Sequence, residues 1–101
     1  MSKGYVVLVV TDVDGLIDHD IFYFEKLEDA REFFNNRVLE SIRHWTNVGN
    51  KVIVDEEDSE NVKHAINGFK YKVIRVIDSY RIKTEGYFGD VIAIAEVESE
   101  D

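Results

Sequence analysis

The chain has 101 residues, 45% of them apolar and 33% charged, with a net charge of −9 and neither cysteine nor proline. That length holds one domain and suffices to bury a core. The absent cysteines exclude disulfides, thiolate metal sites and cysteine nucleophiles, and the acidity argues against general nucleic-acid binding, which draws most of its affinity from a basic face.

No apolar run reaches the ~18 residues that a membrane span requires. The opening MSKGYVVLVV runs into aspartates instead of a small-residue cleavage site, so the expected location is cytoplasmic. Tyr5 to Val10 is an unbroken, mostly β-branched run, the pattern of a strand buried on both faces. Ile21 to Phe24 is a second short strand. The Asp- and Gly-rich stretch between them reads as a turn, making an antiparallel hairpin with a solvated loop.

From Glu28 to Trp45 the pattern becomes helical. Ala30, Phe33, Phe34, Val38, Ile42 and Trp45 recur at three- and four-residue spacings and form one stripe. Glu28 and Asp29 suit the positive end of the helix dipole, and Arg43 and His44 the negative end. Asn47-Val48-Gly49-Asn50 supplies the stop. Lys51 to Val54 is a short strand, after which Asp58 or Ser59 caps a second helix carrying Val62, Ala65 and Ile66, with Asn67-Gly68 ending it. Tyr71 to Ile77 and Tyr80 to Lys83 read as strand. The apolar phase slips within this run, which predicts a bulge. Glu85-Gly86 turns the chain into a last strand from Tyr87 to Val97.

The order is ββαβαββ, an α+β fold: a single two-layer domain with a mainly antiparallel sheet and two helices. The strands at 5–10, 21–24 and 91–95 are apolar on both faces. Either the helices straddle the sheet, or another molecule covers its second face or an edge. The second is the expectation, and with it a homodimer.

The segment VVTDVDGLID resembles the opening motif of haloacid-dehalogenase-type phosphatases, a hydrophobic strand followed by DxDG. The resemblance implies a nucleophile at Asp12, a general acid at Asp14 and a magnesium ion bridging to phosphate. It departs where the family has a threonine after the glycine, since Leu16 follows Gly15 directly. The family also uses a larger parallel α/β scaffold, for which an antiparallel chain of this length has no room. As a cation site, Asp12, Asp14, Asp18 and Asp20 could only collect a hard ion in an irregular loop. A helix–loop–helix calcium site needs glycine sixth and glutamate twelfth, and counting from Asp12 the glycine is fourth and Tyr23 is twelfth.

The three histidines, 19, 44 and 64, fall on a loop, a helix end and the second helix, which sets no catalytic pair, so no catalytic residue is assigned. Lys70, Lys72, Arg75, Arg81 and Lys83, with Tyr71, Tyr80 and Tyr87, have the ingredients of an RNA-binding sheet without its recognition sequences. Lysines that guard a strand edge account for them equally. The acid clusters, DVDGLIDHD, DEEDSE and EVESED, raise the reverse idea, a mimic of nucleic-acid charge of the kind mobile elements encode as inhibitors. Together these features point to a small acidic, non-catalytic interaction module without a cofactor, binding a protein partner. Asp55, Glu56, Glu57 and Asp58, with Trp45, Tyr80 and Tyr87, are the candidate contact residues. The alternatives are a metal- or phosphate-ligand site at the Asp12/Asp14 loop and the charge mimic.

Overall fold

The computed structural model describes residues 3–13, 16–48, 51–85 and 87–99, and of Asp12, Val13, Tyr87 and Phe88 it describes the backbone alone. Strands β1 (Lys3–Val13) and β2 (Leu16–Phe24) lead into helix α1 (Leu27–Asn47). Strand β3 (Val52–Glu56), helix α2 (Ser59–Asn67), and strands β4 (Tyr71–Thr84) and β5 (Tyr87–Ser99) follow. The order ββαβαββ and the α+β class are as expected. All strand pairs are antiparallel, in one sheet of order β2-β1-β5-β4-β3. None of the described helices is long and apolar enough to cross a membrane.

The unbroken apolar run of β1 is explained by its central place. Alternate residues of a strand point to opposite faces. Val7 and Val9 join Ala30 and Phe34 of α1, with Ile82, Ile92 and Ile94, in one core cluster. Val6 and Leu8 join Val62 and Ile66 of α2, with Ala93, Ala95 and Val97, in the other. The two helices therefore lie on opposite faces of the sheet. This corrects the expectation that a second molecule would cover the second face. The class and element order stand, but across its middle the domain is layered helix, sheet, helix rather than in two layers. The cause is the reach of α2: nine residues suffice because the β-sheet positions beneath it are small, Ala93 and Ala95, and let Val62 and Ile66 sit deep.

Helix α1 carries Glu28 and Asp29 in its first turn, as expected, but its N-cap is Lys26, which makes no side-chain cap. Helix α2 is better begun: Asp58 accepts from the Glu60 amide at 2.9 Å. Its end differs from the expectation of a left-handed glycine stop. Gly68 stays right-handed at φ −65°, and the positive φ falls two residues later on Lys70, at 70°. The expected irregularity in β4 is present, with register shifts at Val73/Arg75, Val76/Asp78 and Ile82/Thr84. Opposite the last of these, Gly89 takes φ +72°, and a Cβ there would lie 1.8 Å from the carbonyl oxygen of Ile82. Only glycine fits that position.

Candidate functional site

The aspartate-rich segment is more regular than a loop. β1 and β2 stay in register as far as Val13↔Leu16, so only positions 14 and 15 separate them. Asp18, His19 and Asp20 are strand residues, which corrects the reading of a solvated loop and of His19 as a loop residue. Asp14 lies outside the described residues, as does the side chain of Asp12. In the ladder Asp18 pairs with Thr11, Asp20 with Val9 and Asp12 with Ile17. Asp18 and Asp20 therefore share the face that carries α1, and Asp12 occupies a ladder position of the other parity. Among the described residues no group of three His, Asp or Glu side chains is placed to hold a metal ion.

β2 is a terminal strand of the sheet. Its one flank pairs with β1. Along it Leu16 and Ile17 are 77% and 56% exposed, and Phe22 and Tyr23 are also exposed. Phe22 packs its ring against Phe33 of α1 at 4.7 Å, and Tyr23 stacks on Tyr71 at 6.0 Å while its hydroxyl donates to the Lys3 carbonyl at 3.3 Å. These contacts hold the inner half of the strand flat on the sheet. Its outer half, Leu16 to Asp20, carries exposed side chains throughout. The opposite edge, β3, has five residues against nine.

A second feature was invisible in the sequence. Asp90, which pairs with Thr11 on the β5 side, accepts a hydrogen bond from the Ser41 hydroxyl and another from Trp45 Nε1, the latter at 3.3 Å. A cleft of about 180 Å³ opens beside them, lined by Val9, Arg37, Glu40, Ser41, His44, Asp90 and Ile92. Arg37 reaches Glu40 at 3.5 Å, and its Nε is buried without a partner. Serine, histidine and aspartate meet here, yet Ser41 donates straight to Asp90. The relay of nucleophile through imidazole to carboxylate that a hydrolase triad needs is therefore not formed. Trp45 stood out in the sequence as part of the helical stripe, but contacts spanning 45 and 49 residues leave no local signal of its meeting with Asp90 and Ser41.

The acidic segment after β3 is occupied internally. Asp55 pairs with Lys83 at 3.0 Å, and Glu57, only 12% exposed, holds Arg81 at 2.5 Å. Ser79 adds a hydroxyl bond to the Glu57 carbonyl at 2.8 Å, and Asp58 is spent on capping α2. Of this cluster Glu56 is exposed at the end of β3, opposite Tyr80. The basic residues of β4 and the acidic segment thus complement each other. Trp45 and Tyr80 are half-buried and pack against the α1-side core, Tyr80 with its ring 6.0 Å from that of Phe34. The Tyr87 side chain lies outside the described residues. Glu56, Glu57 and Tyr80 line one shallow cleft, while Trp45 lies beside Asp90.

No family model matches the chain, and neither curated proteins nor solved structures give a significant match.

Proposed function

We propose that the chain is a small, non-catalytic interaction module that binds another protein along the edge of its β1–β2 hairpin. The observation that carries this reading is β2 itself: a terminal strand of nine residues with exposed leucine, isoleucine, phenylalanine and tyrosine. Exposed edges pair with other chains, and proteins that need a free edge kept clear blunt it with charged side chains, lysine above all, or with proline, a bulge or short length. β2 has no lysine, no proline and no register shift against β1. Asp18 and Asp20 are its only charged residues. They keep the free edge soluble and leave its apolar residues available.

The charge-mimic reading has less support. Carboxylates that replace phosphates must be free to meet a basic groove, and Asp55, Glu57 and Asp58 are committed to Lys83, Arg81 and the start of α2. Nor does the homodimer follow from an uncovered sheet face, because α2 covers that face.

The test is capture of tagged protein from nuclease-treated native lysate at low and high salt. Wild type is compared with the pair Leu16→Lys/Ile17→Lys and with Leu39→Lys, which alters an exposed leucine on α1. A stoichiometric partner retained by wild type and Leu39→Lys but lost by the β2 pair is the expected result. A partner that ignores the β2 pair, or no retained protein under either condition, refutes it.

A further inference from the structure

We infer that the segment taken up by this edge is a basic extended strand, with Lys or Arg alternating with apolar residues, added antiparallel to β2. The inference rests on the interaction reading above and names the chemistry of the partner.

The alternation of β2 sets the pattern. Leu16, Asp18, Asp20 and Phe22 occupy the α1 side of the sheet, and Ile17, His19, Ile21 and Tyr23 the α2 side. A strand laid alongside continues both rows. Each of its residues stands opposite one residue of β2, with Cβ atoms about 4.5–5.5 Å apart, where opposite charges attract and like charges repel. On the α1 side the two aspartates ask for cationic partners. On the other side Ile17, Ile21 and Tyr23 ask for apolar ones. Among the described residues Asp18 and Asp20 form no ion pair, unlike Asp55, Glu57 and Asp78, so their charge remains to be matched from outside.

The same pattern disfavours a second copy of this chain. Two β2 strands related by a two-fold axis through the sheet pair residues of equal parity. Centred on residue 20, where the overlap is longest, Asp20 faces Asp20; centred on 19, Asp18 faces Asp20. Centred on 21, the aspartates face Phe24 and Phe22 instead, so that register escapes the aspartate clash but still joins molecules that each carry −9. A foreign basic strand meets none of these penalties.

The experiment uses isotope-labelled full chain and synthetic nonapeptides in which valine or tyrosine alternates with lysine, or with glutamate at the same positions. Amide exchange and chemical-shift titration are read residue by residue. The lysine peptide is expected to slow exchange at alternate β2 amides, those not already bonded to β1, while leaving β3 unchanged. The glutamate peptide is expected not to bind. Asp18→Asn with Asp20→Asn should weaken the lysine peptide about tenfold, and added salt should weaken it further. Equal binding of the two peptides, binding without β2 protection, or β2 amides already protected by self-association in the free chain would each overturn the inference. Should the peptides fail while lysate capture still depends on Leu16 and Ile17, the basic strand is wrong and the interaction module stands. Should capture fail too, both fall.

Discussion

Ile66→Ala tests the seat of α2 on the sheet. Ile66 is fully buried beneath the helix, among Val62, Val6, Leu8, Ala93, Ala95 and Val97. Truncation removes the side-chain carbons beyond Cβ, about 2.4 kcal/mol at ~0.8 kcal/mol per methylene. Incomplete collapse of the void adds to this, giving about 3 kcal/mol, inside the ~2–5 kcal/mol of comparable core truncations. For a domain of this size that is a fall of ~12–24 °C in Tm, out of a total stability of ~5–15 kcal/mol. Urea unfolding is followed in two ways. Far-ultraviolet circular dichroism sees both helices, whereas the fluorescence of Trp45, the one tryptophan, reports from the other side of the sheet. Because both clusters share β1 and β5, the two probes are expected to move together, with a Tm unchanged over about a hundredfold range of protein concentration. A loss below ~1 kcal/mol would mean that α2 is not seated as described. A Tm that climbs with concentration would mean that another copy, and not α2, covers this face.

Other perturbations have equally definite outcomes. Gly89→Ala forces a Cβ against the Ile82 carbonyl at a positive φ and is expected to cost more than ~2 kcal/mol. Gly68→Ala, where the new Cβ meets nothing nearer than 3.3 Å, should change stability by less than ~1 kcal/mol in the same melts. Lys70→Gly relieves a left-handed lysine and should add about 0.5–1 kcal/mol to the urea-derived stability. Lys26→Ser supplies α1 with the side-chain cap it lacks and should add about 0.5–1 kcal/mol, visible as a raised thermal midpoint. Arg81→Met strands the half-buried Glu57 carboxylate and should cost about 1–3 kcal/mol, whereas Lys83→Met, at the more exposed Asp55 pair, should stay within ~0.5 kcal/mol. Equal losses for the two would show that burial does not separate the pairs.

The elements and their order were legible in the sequence because they rest on local chemistry. The stripe from Ala30 to Trp45 has the helical period, the run Val6 to Val10 has no polar interruption, and the phase slip in β4 marks a bulge before any partner strand is known. Residue type and position narrow the cap of α2 to Asp58 or Ser59, and the structure has it at Asp58. What the sequence could not decide is which surfaces meet. A strand apolar on both faces demands two covers, and period alone does not say whether the second comes from α2 or from another molecule. The depth available over Ala93 and Ala95 decides it, and that exists only once β1, β5 and α2 are stacked. Likewise, DEEDSE and the basic run of β4 are a separated charge pattern in one dimension and a set of ion pairs in three. Asp18 and Asp20 read as turn residues by type, yet pairing with Val9 and Thr11 carries the ladder through them. Local propensity yields there to the hydrogen bonds and flanking apolar contacts of a long hairpin, and this leaves β2 as an open edge of the sheet.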